Sequence, residues 1–192
     1  TLTSKGLSLN PTHQSSDIVI SIHAMVVPVV VLTGSTNREI GRQHGSQLRD
    51  RIRATWKFYA ALFGESPIVL KASAADIRDA VSRFDARYVE EMDAIATGSG
   101  LDPWQVYCLN GRTEILLTLR GSAAECTSIF DRKRAILAQN WDWDEFLETQ
   151  VFVADITLNH HRIVTLTEPG MLAKSGMIIV VGGEKRAQTK HP

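Results

Sequence analysis

Cysteine is scarce in this chain, with Cys108 and Cys126 the only two among 192 residues. Two thiols build neither a disulfide framework nor a zinc site, and such sparse usage fits a reducing compartment. Net charge is absent too, since 21 Lys plus Arg stand against 21 Asp plus Glu. There is no electrostatic ground for expecting nucleic acid or an anionic membrane as a partner. A long apolar run is also missing. The best stretch, Ile18 to Leu32, is interrupted by Ser21, His23 and Pro28, whereas a membrane span needs ~20 apolar residues. Its length would suit a secretory h-region, but Val26-Val27-Pro28-Val29-Val30-Val31-Leu32 is β-branched and fits a buried strand better. No glycine-rich phosphate loop occurs, and Gly182-Gly183 is too slight to count as one. His160-His161 has no third ligand at metal spacing and reads as an exposed turn. No internal repeat or low-complexity segment is present.

What remains is the size of one domain, with an ordinary apolar share of 44%. Residues 1–24 show no sustained period and are expected to form a disordered extension, with Met25 as the natural start. The polar segment from Glu184 to Pro192 is expected to be disordered as well. A strand is predicted over 26–32, followed by a turn and cap cluster, Thr33-Gly34-Ser35-Thr36. Glu39 lies three residues after Thr36, as in a capping box. Ile40, His44, Leu48, Ile52, Trp56 and Tyr59 then recur at helical spacing, predicting one long helix that ends near Gly64. Its arginines (Arg42, Arg49, Arg51 and Arg53) fall mostly on the rest of the wheel and read as a solvated face. A second helix is predicted after Ser73, with Asp76 at the box position and an apolar stripe from Ile77 to Ile95. Asp102-Pro103-Trp104-Gln105 opens a third, which runs to Gly121. Two hairpins follow: 126–130 with 135–140, then 151–158 with 162–167. Helices first and antiparallel strands after them indicate an α+β domain, with residues 25–125 as a helical region and 126–192 as the start of a sheet.

Taken singly, the candidate chemical residues have plain structural readings. Cys126 at a strand start reads as a small core residue. Asp142 and Asp144, either side of Trp143, read as acids that cap or solvate a turn. His44 on an apolar helix face reads as a satisfied buried histidine. Asn110, Arg112 and Glu114, at two-residue steps, diverge around a helix and read as interhelical hydrogen-bonding groups.

Together the pieces carry more. In order along the chain come Gly41-Arg42-Gln43-His44-Gly45, Asn110-Gly111-Arg112-Thr113-Glu114, Glu125-Cys126-Thr127-Ser128 and Gln139-Asn140-Trp141-Asp142-Trp143. This series resembles the isopenicillin N acyltransferase family, the C45-type acyl-coenzyme A:aminopenicillanate acyltransferases, over about Val26 to Met177. The resemblance implies a precursor that cuts itself at Glu125–Cys126, leaving a helical subunit and a sheet-forming piece of an αββα N-terminal-nucleophile (Ntn) sandwich. It assigns Cys126 as nucleophile and Asp142 as the acid that orients the freed α-amine of Cys126. No metal or redox cofactor is implied. The partners are a small-molecule acyl donor and acceptor, acyl-coenzyme A being a candidate substrate, and the compartment is cytoplasmic or peroxisomal. In the family an Asn and an Arg later in the chain help form the site, and here a polar segment follows Gly183. An inactive fragment that serves at most as an interaction module is therefore the alternative. With too few residues after Cys126 to supply both sheets of that sandwich, Ile129, Ile136, Val153 and Ile156 are expected to be partly exposed in this chain, giving self-association through the sheet.

Overall fold

A computed structural model describes residues 27–121, 128–133, 136–139, 144–172 and 177–183. The expected disordered segments, 1–24 and 184–192, lie outside the described residues. The fold is α+β. Strand β1 (Val29–Gly34) comes first, followed by helices α1 (Asn37–Gln47), α2 (Arg49–Phe63), α3 (Pro67–Ser99), α4 (Pro103–Asn110) and α5 (Arg112–Arg120). Strands β2 (Ser128–Asp131) and β3 (Ile136–Gln139), a short 3-10 helix (Glu145–Thr149), and strands β4 (Phe152–Leu158), β5 (His161–Thr167) and β6 (Met177–Gly183) complete the order.

The caps set several boundaries. Thr36 accepts from the Glu39 amide at 3.2 Å, and the Glu39 carboxylate accepts from the Ser35 and Thr36 amides at 2.7 and 3.3 Å. Asp102 and Gln105 form the second predicted box. The expected long first helix is two helices, because Leu48 (φ −112°, ψ 21°) leaves helical geometry between α1 and α2. The second predicted helix begins earlier than Ser73. Ser66 caps it, its hydroxyl accepting from the Val69 amide at 3.4 Å, with Pro67 in the first turn. Asp85 is extended (φ −163°, ψ 110°) and kinks α3, and its carboxylate accepts from the Arg87 amide at 2.9 Å, as at a fresh helix start. The predicted third helix breaks at Gly111. A Cβ on Gly111 would stand 2.3 Å from the Ile77 side chain, so α3 packs against bare backbone there.

Helix α1 is packed between the sheet and α3. The close crossing with α3 explains the Gly41 and Gly45 spacing. A Cβ on Gly41 would meet the Glu91 carbonyl at 2.2 Å, and one on Gly45 the Ile95 carbonyl at 2.4 Å. Two arginines of α2 close the far end of α3. Arg49 donates to the Gly98 carbonyl at 3.1 Å, and Arg53 to the Ser99 carbonyl at 3.1 Å. They satisfy orphan carbonyls of the last turn and interact with the negative end of the helix dipole. The expected solvated arginine face is thus in part a helix clamp.

The main sheet has the order β1-β4-β5-β6, and β2 with β3 forms a separate two-stranded ribbon. Strands β4, β5 and β6 are antiparallel, but β1 runs parallel to β4, with Leu32 opposite Ile156. The sheet is therefore mixed. Edge strand β1, from ahead of the helices, pairs with β4, from behind them. One face carries Leu32, Phe152, Ala154 and Ile156 onto Ile40, Ile52, Tyr59 and Leu109, all fully buried. Burying a side chain of this size contributes ~1.5–3 kcal/mol. The opposite face carries the Arg162–Asp155 pair, with two N···O distances of 2.8 Å. Val29 and Val31 are 63% and 59% exposed on that face. The expectation of exposed sheet residues is corrected accordingly. Ile129 is exposed, but Ile156 is buried because its face of β4 packs on the helices, and Val153 is buried on the other face of the same strand; the side chain of Ile136 lies outside the described residues.

Candidate functional site

Cys126 and Asp142, the residues assigned to chemistry, lie outside the described residues, as does Glu125. The ribbon between them is described. Strands β2 and β3 pair antiparallel from Ser128 opposite Gln139 to Asp131 opposite Ile136. At its turn the Asp131 carboxylate accepts from the Lys133 amide at 2.9 Å. In sequence, Cys126 stands two residues before β2 and Asp142 three after β3. Asp144 behaves as its plain reading predicts, capping the short 3-10 helix by accepting from the Phe146 amide at 2.9 Å. His160 and His161 are exposed in the β4–β5 turn, and no group of three metal-ligating side chains occurs among the described residues.

The described polar centre lies elsewhere, around the loop that leaves β5. Glu168 is fully buried there. Arg112 Nη2 donates to Glu168 Oε1 at 3.0 Å, and the Tyr59 hydroxyl donates to Glu168 Oε2 at 2.8 Å. The same hydroxyl accepts from Arg112 Nε at 3.0 Å, closing a three-membered ring of charge-assisted bonds. Burial pushes the Glu168 carboxyl above the ordinary glutamate value, opposed by the Arg112 charge and by the two hydrogen bonds. Burial first, then the Glu168 carboxylate beside it, pushes the Tyr59 phenol well above its usual range.

Asn110 fastens the next part of the loop. Its Oδ1 accepts from the Leu172 amide at 2.7 Å, and its Nδ2 donates to the Gly170 carbonyl at 3.0 Å. Its partner on α1 is His44, fully buried and edge-on to Phe152. His44 Nε2 accepts from the Gly170 amide at 3.1 Å, so the ring is neutral with its proton on Nδ1. Nδ1 has no partner among the described residues. Burial lowers the His44 pKa to about 4. His44 is buried as expected, but among the described residues only one of its two nitrogens has a partner.

Gly170 is the hinge of this arrangement. It sits at φ +89°, where a side chain is strained, and a Cβ would stand 2.8 Å from Leu109 and 3.2 Å from Ile52. Asn110 and Arg112 were expected to diverge and to bond between helices. They converge on the loop because the chain breaks at Gly111, placing one at the end of α4 and the other at the start of α5. Glu114 stands apart, lining a cleft of about 290 Å³ between α3 and α5 with Leu70, Ile77 and Leu119.

No family model matches this chain. The chain is similar to an acyltransferase. That relative, the acyl-coenzyme A:6-aminopenicillanic-acid-acyltransferase 40 kDa form of Emericella nidulans, is 26% identical over 148 residues, 73% of this chain. The chain spans 42% of the length of that relative. The relation is distant, and it bears on the class of chemistry rather than on a substrate.

Tyr59 and Glu168 are the members of the polar centre that sequence reasoning passed over. Tyr59 was legible only as part of an apolar stripe. A signal for Glu168 did exist: a lone carboxylate directly before Pro169-Gly170, in a segment otherwise apolar or hydroxylic from Ile163 to Leu172. Among the described residues no helix is long and apolar enough to cross a membrane.

Proposed function

We propose that this chain belongs to a self-processing cysteine Ntn acyltransferase or hydrolase acting on acyl amides or acyl thioesters, with Cys126 as nucleophile and Asp142 as its orienting acid. The observation that carries this reading is the distant relation to an acyltransferase over 148 residues. The ribbon supports it. Ser128 and Gln139 are paired, so the strand running on from Cys126 and the strand leading to Asp142 share one end of a hairpin.

The chemistry follows from the residue types. In the precursor, Cys126 Sγ attacks the Glu125 carbonyl, and the peptide bond becomes a thioester as the amine of Cys126 is released. Water cleaves that thioester, leaving a carboxylate on Glu125 and a free α-amine on Cys126. The amine, with a reference pKa of about 7.7–8.0, takes the proton of a thiol whose own value is near 8.5. The thiolate attacks the acyl carbonyl of the substrate, and the leaving thiol or amine departs with a proton from the ammonium. Water or an acceptor amine then resolves the acyl-cysteine, transferring the acyl group and restoring the thiol. Asp142 holds the ammonium in place during both transfers. Donors for the oxyanion would come from an Asn and an Arg later in the chain, as the family resemblance implies.

A second reading is favoured by the chain's spanning 42% of the relative's length: residues 1–192 alone hold a fold without turning over substrate. An assay of thiol or amine release from acyl thioesters and acyl amides separates the two. It is paired with mass detection of an acyl adduct on the piece beginning at Cys126. The first reading expects a Cys126-borne adduct and turnover slowed by Asp142→Asn. An adduct that survives in Cys126→Ala would refute it.

A further inference from the structure

The loop after β5 is unusual in being buried throughout, from Thr167 to Leu172. Connecting loops run over the surface because buried backbone groups need partners. Here the partners are side chains. His44 accepts from Gly170, Asn110 bridges Gly170 and Leu172, and Arg112 with Tyr59 holds Glu168. Every one of these side chains comes from residues 44–112, and every loop group they hold comes from residues 168–172. The bond proposed to break, Glu125–Cys126, falls between the two sets.

We propose that these four side chains form a socket by which the helical piece ahead of Glu125–Cys126 recognises and retains the piece behind it, with Glu168 as the group that selects the docked register. This rests on the cleavage reading. A buried ion pair adds little net stability over an apolar pair, but stranding one member is costly. Any docking that displaced the loop would leave Glu168 buried without Arg112 and Tyr59. The parallel β1–β4 ladder, by contrast, lines up valines, leucine and isoleucine that would tolerate a slip of two residues with the same faces inward. The socket distinguishes the correct register where the ladder does not.

The test uses the full chain carrying Cys126→Ala, which removes self-cleavage, and a protease recognition sequence inserted between Gly121 and Cys126. After cutting with the added protease, concentration-dependent gel filtration gives the dissociation constant of the two pieces. The parent pieces are expected to co-elute at micromolar concentration. Glu168→Gln is expected to raise their dissociation constant ~30-fold or more. Tyr59→Phe, which keeps the ring and removes one hydroxyl, is a milder variant should Glu168→Gln fail to fold, and is expected to raise it ~3–10-fold. Tyr107→Phe removes the bond from Tyr107 to Asp93, both within the helical piece, and is expected to leave the dissociation constant unchanged. Separation of the parent pieces on cutting would overturn the proposal. So would socket variants that hold as tightly as the parent, or Tyr107→Phe loosening the pieces as much as Tyr59→Phe. Because the added protease makes the cut, the result is independent of whether Cys126 is a nucleophile, which the adduct assay decides separately.

Discussion

Lowering the pH should loosen this fold through His44. The ring is fully buried, its Nε2 is committed as an acceptor to the Gly170 amide, and its pKa is lowered to about 4 from 6.5 by burial. Protonating Nε2 would set two N–H groups against each other. The sign follows from linkage. Between pH 6.5 and 4 the unfolded chain binds a proton at this site that the folded chain does not, so stability falls as pH falls. The difference of the two titrations amounts to about 1 kcal/mol by pH 5.5 and about 2–3 kcal/mol by pH 4.5. Glu168 acts in the opposite sense, since its raised pKa makes the folded chain bind the extra proton as pH falls below the raised value. Comparison with His44→Gln at each pH removes that term, because Gln accepts from Gly170 without titrating. The assay is urea unfolding of both proteins at pH 7.5, 5.5 and 4.5. The stability of the parent relative to His44→Gln is expected to drop by about 2–3 kcal/mol across the range. Parallel losses in the two proteins would refute the assignment of His44 as a neutral, loop-bound histidine.

Three further outcomes follow from local geometry. Gly45→Ala should destabilise by ~1–3 kcal/mol in denaturant unfolding, since the new Cβ would stand 2.4 Å from the Ile95 carbonyl and force α1 from α3. Thr36→Ala should cost about 1 kcal/mol by the same measurement, through loss of the cap bond to the Glu39 amide. Cys108 should resist a thiol reagent until the chain unfolds, because it is buried, its pKa is pushed up to about 12 by burial, and its thiol donates to the Leu70 carbonyl. Rapid labelling of Cys108 in the folded Cys126→Ala protein would show the α3–α4 packing to be wrong.

Local chemistry made much of the helical block legible. Thr36 with Glu39 and Asp102 with Gln105 are short-range capping signals, and both boxes form. Gly64, Gly100 and Gly121 end helices in left-handed geometry, where the sequence had placed stops close by. The second hairpin falls on the predicted residues within one or two positions. The breaks were harder. Leu48 carries no glycine or proline signal, and the apolar stripe runs through it. Asp85 and Gly111 leave helical geometry where the stripe of α3 and the run from Asp102 to Gly121 looked continuous. The parallel pairing of β1 with β4 joins residues more than 120 positions apart. Periodicity reports only which face is buried, not against what. The same limit hid Tyr59 and Glu168, whose roles depend on each other and on Arg112, and it placed Asn110 and Arg112 on opposite sides of a helix that is broken between them.

The central claim, that Cys126 opens the chain at its own amide bond, is tested most directly by intact mass and N-terminal sequencing of the protein purified from cells. The comparison is between the parent and Cys126→Ala, in a version extended to the relative's length. The account predicts two pieces for the parent, the second beginning at Cys126, and one uncut chain for Cys126→Ala. Equal cleavage in both, or a new N-terminus at any other residue, would contradict it.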